Sequence, residues 1–396
     1  MSRYDNKDLT MAGVATRNIH YGINPDPLTG AMTPPIYQTT TYAQEAVGVN
    51  KGHTYSRSSN PTVSVLEAKL AGIEYAKGAY AYATGLAATT ALIMSTLRQG
   101  DHIICSDVIF GGTVRLIDQI FSRYGIKATY VDASDLNKFA DSFQSNTKLV
   151  FLESPANPTM KLNDIQAICN IAHANNVLVC VDNTFLTGVL QRPLELGADI
   201  VLYSTTKYIE GHNAAVGGAL LSNNDKLLEE FNFIRKSVGF IQSPFDAWIT
   251  MQGIKTLELR VHQHSKNALE VAKFLEVHPS VKLVNYPGLA SFYQSDLASK
   301  QHLSGMHGGM LSFEVSGGFE HALNVMNSVQ LFTLAESLGA TESLITHPAS
   351  MTHVGMTVEQ RKNFGIDDGL IRLSIGLENV EDIILDIKQA IEKEVL

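Results

Sequence analysis

The sequence predicts an α/β fold in which a large domain with a mostly parallel sheet precedes a smaller α+β domain. Short apolar segments alternate with amphipathic helical segments through residues 61–255, as expected for a parallel sheet covered by helices on both faces. Hydrophobic residues make up 45% of the chain and charged residues 17%, which is a globular composition. At 396 residues the chain is too long for one typical core, so we expect two domains.

Residues 1–60 are predicted to form an irregular arm. They are rich in Thr, Pro, Gly and Tyr, as in NPDPLTGAMTPPIYQTTTY and GHTYSRSSNPT, and they lack strong periodicity. An arm of this kind often packs on another surface, which in an oligomer can be a neighbouring subunit. The pattern changes at Pro61, because TVSVLEAKLAGIEYA has helical spacing and proline suits a first helical turn.

Residues 61–255 are predicted to form the large domain. Helical patterns occur in GLAATTALIMSTLRQ, GTVRLIDQIFSRYG and DIQAICNIAHANN, and right-handed crossovers would connect the parallel strands. The predicted strands are short apolar runs: HIICSD (102–107), KATYVD (127–132), KLVFLE (148–153), NVLVCVD (176–182) and ADIVLYS (198–204).

Residues 256–396 are predicted to form the smaller α+β domain. A long helical pattern over 256–277 would link it to the large domain. Strand-like segments follow at 308–315 (GGMLSFEV) and 370–377 (LIRLSIGL). Helical patterns in FEHALNVMNSV and VEDIILDIKQAIEKEV complete the region.

Charge and cysteine content exclude several functional classes. The net charge of −9 and the pI near 5.8 disfavour a general nucleic-acid or anionic-membrane partner. Three cysteines at no metal-ligand spacing predict buried thiols and a reducing compartment. The first residues lack the apolar core of a signal peptide, and no apolar run has the ~18 residues needed to span a bilayer. We therefore expect a soluble, cytoplasmic protein.

Polar residues follow the predicted strands where ligands bind in parallel sheets. Asn157 follows the strand at 148–153, Asp182 ends the next strand, and Lys207 follows the last one directly after two threonines. Gly85 lies at a predicted helix start, where free backbone N–H groups favour an anion.

This set meets the requirements of pyridoxal phosphate (PLP), which needs a lysine amine, a carboxylate at its ring nitrogen and donors for its phosphate. Each residue alone also has an ordinary explanation: Asp182 as a helix or turn cap, Lys207 as a solvated surface residue, and Gly85 as a packing position. Spacing by itself leaves both interpretations open. The chain has no G-x-G-x-x-G after a strand, no phosphate-binding P-loop and no zinc motif, so nicotinamide, P-loop nucleotide and metal sites are not expected.

Several ordered motifs make the chain resemble the Cys/Met-metabolism PLP-dependent enzymes, the cystathionine γ-synthase-like family. They include YSRSSNPT, ATGLAA, FLESPANPTM, VDNTF, LGADIVLYSTTKYIEGH, LFTLAESLGATESLITHPASMTH and DGLIRLSIGLE, and the likeness extends from about Thr16 to the C-terminus. The resemblance implies the type I, aspartate-aminotransferase-like fold and the cofactor PLP. It also implies a homo-oligomer, in which active dimers usually assemble into tetramers.

The resemblance also implies residue roles. Lys207 matches the lysine that forms the Schiff base with PLP and shuttles protons, and Asp182 matches the partner of the pyridine nitrogen. The residues matching phosphate ligands are Ser204, Thr206, the backbone of Gly85 and Leu86, and, from the neighbouring subunit, Tyr55 and Arg57. The residues matching the substrate side are Asn157, near the ring hydroxyl and the substrate carboxylate, Arg372, which clamps that carboxylate, and Ser337 beside it.

Several positions bear on the reaction. Phe110 stands where most relatives have tyrosine, so the ring that stacks on the cofactor lacks a phenol and Tyr55 or Lys207 would have to take over its proton-handling role. Gly112 replaces a cysteine characteristic of methionine γ-lyases, which argues against that activity. Glu336 matches an acid that holds the distal ammonium of cystathionine. Asn213 and Ala214 depart from a common Gly-His-Ser-Asp sequence.

The resulting prediction is a PLP-dependent carbon–sulfur lyase that cleaves L-cystathionine by β- or γ-elimination. The first alternative is a γ-replacement transferase, a cystathionine γ-synthase or a homoserine-ester sulfhydrylase. A more distant alternative is a relative that binds PLP with little catalysis. The predicted partners are a small amino-acid substrate and further copies of the chain, with no nucleic acid and no membrane.

Overall fold

The structure, a computed structural model, describes residues 9, 11–351, 359, 361 and 364–393. Its strands form two sheets. The strands of the first sheet are β1 (Gly78–Tyr82), β2 (His102–Ser106), β3 (Lys127–Val131), β4 (Thr147–Glu153), β5 (Leu178–Asp182), β6 (Ile200–Tyr203) and β7 (Gly218–Ser222). Those of the second sheet are β8 (Val281–Asn285), β9 (Met310–Val315), β10 (Thr333–Leu334), β11 (Leu344–Thr346) and β12 (Leu370–Ser374).

Helices cover both sheets, and several begin at a side-chain cap. Asn60, for example, accepts from the backbone N–H of Thr62, with Pro61 in the first turn. The α-helices are α1 (Val14–His20), α2 (Pro61–Glu74), α3 (Gly85–Thr96), α4 (Gly111–Arg115), α5 (Leu136–Asp141), α6 (Ile165–Ala174), α7 (Thr187–Leu190), α8 (Asp225–Val238), α9 (Pro244–Ile254), α10 (Leu257–Glu276), α11 (Ser295–Gln301), α12 (Gly318–Ser328) and α13 (Val380–Glu392).

The larger sheet has the order β1-β7-β6-β5-β4-β2-β3. All its neighbouring strands pair in parallel except β7, which is antiparallel to both β1 and β6. The prediction of a mostly parallel sheet in an α/β fold is therefore confirmed. Strands β1 and β7 were not among the predicted strands, because GAYAY and GALLS are short and contain no β-branched residue.

The smaller sheet has the order β10-β11-β12-β9-β8 and follows the long helix α10 in the chain. Three of its four pairings are antiparallel, α12 packs against β9 and β12, and α13 packs on α12 and α10. One expected helix is broken up: residues 112–125 form the end of α4, then a π-helical turn at Leu116–Ile120 and a 3-10 turn at Phe121–Tyr124. Within the described residues, no helix is long and apolar enough to cross a membrane.

The core explains where polar chemistry is possible. Strands β2, β6 and β7 are buried along their whole length, so their side chains pack against helices on both faces. Strands β4, β5 and β6 run parallel and side by side, and their carboxyl ends meet at one edge. That edge faces β12 of the smaller sheet, as the hydrogen bond from Arg372 to Asn157 shows.

Candidate active site

A cavity of about 430 Å³ opens at the carboxyl ends of β4, β5 and β6, which is a size typical of small-molecule sites. Side chains from both sheets line it. The predicted site residues on its wall are Gly85, Leu86, Phe110, Asn157, Asp182, Ser204, Thr206, Lys207, Glu336, Ser337 and Arg372. The structure therefore brings together residues that span 288 positions from Gly85 to Arg372.

Two predicted site residues lie elsewhere. Tyr55 and Arg57 belong to the arm and do not line the cavity of their own chain. The Arg57 guanidinium lies 5.5 Å from the centre of the Tyr55 ring and donates to the backbone oxygen of Lys236 at the end of α8. Tyr55 is 44% exposed, so its ring is available to another surface.

Lys207 projects its amine into the cavity from the turn after β6. The Nζ donates to Ser337 Oγ at 2.8 Å, which connects the turn after β6 of the larger sheet to the segment after β10 of the smaller sheet. Burial, and then the nearby Arg372 charge, lower the pKa of Lys207 to about 8 against the opposing charge of Glu336. A larger fraction of this amine is therefore neutral near pH 7 than for a surface lysine, and the neutral amine is the form that acts as nucleophile and base.

Asp182 ends β5 on the floor of the cavity. Thr184 donates to its Oδ1 twice, through its hydroxyl at 2.5 Å and its backbone N–H at 3.0 Å. Burial raises the pKa of Asp182 to about 6, and the Thr184 hydrogen bonds oppose that rise. A cationic ring nitrogen beside this buried carboxylate would supply the charge partner that burial demands.

A cluster of donors at one end of the cavity suits an anion. The first turn of α3 presents backbone N–H groups without intrahelical acceptors, and Thr84 caps it by accepting from Ala87. An added Cβ at Gly85 would lie 3.0 Å from the Cβ of Ser204, so the glycine permits the close approach of helix and strand end. Thr206 exchanges hydrogen bonds with the backbone of Gly217 and fixes the neighbouring turn.

Arg372 reaches the opposite end from β12. Its Nη1 donates to Asn157 Oδ1 at 3.1 Å, and its Nη2 donates to the Ser337 carbonyl at 2.9 Å and to Thr346 Oγ1 at 3.0 Å. Arg372 is 3% exposed, and its Nε has no hydrogen-bond partner among the described residues. Burial lowers its pKa to about 10, and the charge of Glu336 opposes this. A buried guanidinium with a spare donor can bind a carboxylate.

Glu153 is a wall residue that was not singled out from the sequence. It ends β4 directly beside Asp182 of β5, is 5% exposed, and accepts the backbone N–H groups of Phe110 and Asn157. Burial, and then the nearby Asp182 charge, raise its pKa to about 8. Its position at the end of a predicted strand, beside the strand that ends at Asp182, could have suggested Glu153. Many strands end in a polar residue, however, so this position alone does not distinguish a site residue.

The mouth of the cavity is more exposed than its floor. Phe110 is 44% exposed, Val216 is 54% exposed, and Glu336 is also exposed. Gly112 lies directly under the Phe110 ring, since an added Cβ would overlap the ring edge. A larger residue at position 112 would therefore displace the aromatic ring.

The residues on the wall fit pyridoxal phosphate. They offer an amine of lowered pKa, a buried carboxylate, an anion-binding helix N-terminus with hydroxyls, and an aromatic ring at the mouth. Arg372, whose Nε has no hydrogen-bond partner among the described residues, offers a further donor to an anion. Lys207, which donates to Ser337 Oγ, connects these two groups of wall residues.

Comparisons with known proteins agree with this geometry. A family described as Cys/Met metabolism PLP-dependent enzyme matches residues 15–392. The chain is 46% identical over 385 residues to a cystathionine beta-lyase of Lactococcus lactis subsp. cremoris, covering 97% of this chain and 100% of that protein. It is 45% identical over 382 residues to a cystathionine gamma-synthase of Mycobacterium tuberculosis, covering 96% and 97%. The crystal structure of metB from Corynebacterium glutamicum superimposes with a TM-score of 0.94 at 41% identity, over 97% of this chain and 99% of that one.

Proposed function

Because the chain belongs to the Cys/Met metabolism PLP-dependent enzyme family, with pyridoxal phosphate as cofactor, we propose that it is a carbon–sulfur lyase that cleaves L-cystathionine. The observation that carries the proposal is the convergence of Lys207, Asp182 and the Arg372–Asn157 pair on one cavity. The cavity thus pairs a nucleophilic amine with a carboxylate-binding arginine, which a lyase acting on an amino acid requires.

The cofactor end would be held by residues of the larger sheet. Lys207 would bind the cofactor aldehyde, and Asp182 would pair with its ring nitrogen. Phe110 would cover the ring. The phosphate would take hydrogen bonds from Ser204, Thr206 and the first N–H groups of α3, at Gly85 and Leu86.

Bound pyridoxal phosphate supplies an electron-accepting ring that stabilises negative charge on the α-carbon of an attached amino acid. The chain supplies the proton transfers and the orientation. Lys207 Nζ, as a neutral amine, would remove the α-proton and return a proton later. Asp182, held as a carboxylate by its two bonds from Thr184, would keep the ring nitrogen protonated.

The substrate end would be held by residues of both segments, Asn157 from 61–255 and Arg372, Ser337 and Glu336 from 256–396. Arg372 and Asn157 would bind the α-carboxylate, with Ser337 beside them. Glu336 at the exposed mouth would attract the distal ammonium of cystathionine. Each cleavage consumes one water: cleavage at the β-carbon gives homocysteine, pyruvate and ammonia, and cleavage at the γ-carbon gives cysteine, 2-oxobutyrate and ammonia.

The β-reaction needs fewer proton transfers, which suits the phenylalanine at position 110. An acid at position 336 favours the γ-reactions instead, and one of them is the second candidate function: cystathionine γ-synthesis, the joining of cysteine to an activated homoserine ester. Relatives with both names match the chain at 45% to 46% identity. The second candidate therefore rests on Glu336 and on those relatives.

We further propose that the arm, residues 1–60, completes a neighbouring subunit's site through Tyr55 and Arg57. Their place outside the cavity of their own chain and the exposure of Tyr55 support this. The active unit would then be a dimer, with pairs of dimers forming a cytoplasmic homotetramer. Residues 61–255 would form the cofactor-binding domain and residues 256–396 the smaller domain, since each segment contains one complete sheet.

The test supplies cofactor-loaded protein with L-cystathionine and identifies the keto acid by chromatography. Pyruvate would indicate β-elimination and 2-oxobutyrate would indicate γ-elimination. A parallel reaction contains cysteine with O-succinyl- or O-acetylhomoserine. Formation of cystathionine in the parallel reaction, with no keto acid in the first, would establish the second candidate. No turnover in either reaction would reject both functions. The Lys207→Ala variant is the negative control.

A further inference from the structure

Glu153 is a buried carboxyl group on the cavity wall with a distinctive set of contacts. Its Oε2 accepts the backbone N–H of Phe110 at 2.8 Å, and its Oε1 accepts the backbone N–H of Asn157 at 3.1 Å. Phe110 follows β2 and stands directly before α4, and Asn157 lies in the turn after β4. One side chain therefore connects two separate segments of the site.

The connection continues into the smaller domain. The Asn157 side chain accepts from Arg372 Nη1 at 3.1 Å, while its backbone N–H is held by Glu153. Asn157 is 5% exposed and Arg372 is 3% exposed, so water competes little for these bonds. The position of the Arg372–Asn157 pair is thus set in part by Glu153, although Glu153 does not contact Arg372 directly through a hydrogen bond.

An ionised carboxylate satisfies both segments at once, and burial raises the pKa of Glu153 while the two N–H bonds lower it. Each of its oxygens accepts one N–H, and a glutamine has a single acceptor oxygen. The amide nitrogen of glutamine would face one of the two N–H donors and leave it unsatisfied in a buried site, which is destabilising. Aspartate keeps both oxygens but is shorter by one methylene and cannot span the same separation without a shift of β4.

We propose that Glu153 is a positioning residue for the substrate end of the cavity: its two oxygens fix the backbones of Phe110 and Asn157, and through Asn157 they set the Arg372 guanidinium for an α-carboxylate. This inference rests on the proposed function only in taking Arg372 and Asn157 as the carboxylate site. It adds a residue that acts on binding of the amino acid and does not depend on which carbon–sulfur bond is cleaved.

The experiment measures binding of L-alanine, an amino acid without a sulfur leaving group, to cofactor-loaded protein by isothermal titration calorimetry. The variants are Glu153→Gln, Asn157→Ala and the double variant, with Glu270→Gln on the exposed face of α10 as the matched surface control. We expect each single site variant to weaken L-alanine binding about tenfold, and the double variant to bind within about threefold of the weaker single one. The control should bind as the parent does.

Additive effects, near a hundredfold in the double variant, would overturn the inference, because Glu153 would then act independently of Asn157. Unchanged L-alanine affinity in Glu153→Gln would also overturn the inference, whether or not the Tm or the cofactor content falls. Glu153 would then have a purely structural role. If Glu153→Gln does not fold, Glu153→Asp enters the same cycle under the same criteria. A parent that binds no L-alanine overturns it as well. A parent that binds L-alanine but leaves cystathionine intact rejects only the proposed function.

Discussion

The floor and the mouth of the cavity differ in how firmly the fold determines their side chains. On the floor, Asp182, Glu153 and Arg372 are buried and each is held by at least two hydrogen bonds. At the mouth, Phe110 is 44% exposed, and no hydrogen bond of the described structure holds the exposed Glu336 carboxylate. The positions of the floor side chains are therefore fixed by burial and by hydrogen bonds within the fold. The properties of the mouth depend instead on which side chains stand at its exposed positions.

This contrast explains why overall similarity does not separate the candidate reactions. The beta-lyase and gamma-synthase relatives match this chain almost equally over nearly its whole length. Residues on the floor would serve any reaction that begins with removal of the α-proton. We therefore expect the lyase and the synthase to differ by few substitutions, and we expect those substitutions at the mouth. Substitutions on the floor should remove chemistry, and substitutions at the mouth should alter preference.

The largest effect should follow removal of the floor amine. In Lys207→Ala, we expect turnover of L-cystathionine to fall by at least ~10³-fold, because the variant lacks the amine that we propose binds the cofactor aldehyde and moves the proton. The measurement is the initial rate of keto acid formation, together with the visible absorbance of the bound cofactor. Lys273→Ala on α10 is the control, since that lysine forms only an exposed pair with Glu270. A Lys207→Ala protein with normal absorbance and turnover would disprove the role.

Much of this floor could be predicted from the sequence because it lies at the ends of apolar strands. Strands β2 to β6 coincide with predicted runs within about two residues, and Asp182 and Lys207 follow from the rule that parallel strands end at one edge. Strand β7 was missed because GALLS has no alternation or β-branching to distinguish it from a loop or helix segment.

The contacts of the other wall residues could not be predicted from local sequence patterns. Arg372 and Asn157 are 215 positions apart, and their contact depends on how the two sheets pack. Family resemblance predicted Arg372 as a site residue, but residue spacing did not. Glu153 was missed for a different reason: it lies within a predicted strand and a quoted motif, yet its contacts depend on two backbone N–H groups that only the folded turns bring to it.

The second effect concerns the stability of the cofactor-free protein. Burial lowers the pKa of Lys207 from its ordinary 10.5 to about 8, so the folded state disfavours the charged amine. Below pH 8 the amine is charged in both states and the full cost of burying it is present. Between pH 8 and 10.5 only the unfolded state keeps the proton, so stability rises with pH and the cost disappears.

Lys207→Met should therefore make the cofactor-free protein more stable at pH 7 by about 3 kcal/mol, since one pKa unit corresponds to ~1.4 kcal/mol. The difference should close as pH increases from about 8 toward 10.5. Urea unfolding of both proteins at several pH values measures this, with the exposed Lys273→Met as control. Equal stability of the parent and Lys207→Met at pH 7, or a difference that grows above pH 8, would contradict this prediction. Burial of the charged amine would then not destabilise the folded protein.

The smallest effect belongs to the mouth. In Glu336→Gln, we expect the KM for L-cystathionine to rise about three- to fivefold with little change in kcat, because an exposed ion pair contributes only ~1 kcal/mol or less. The increase should diminish at high salt, where exposed charges are screened. A cysteine thioether without a distal ammonium should show no change in KM, and Glu342→Gln, another exposed acid nearby, is the matched control. If KM for both substrates rose equally, Glu336 would act on the shared Arg372 end and the division between floor and mouth would be wrong at this residue.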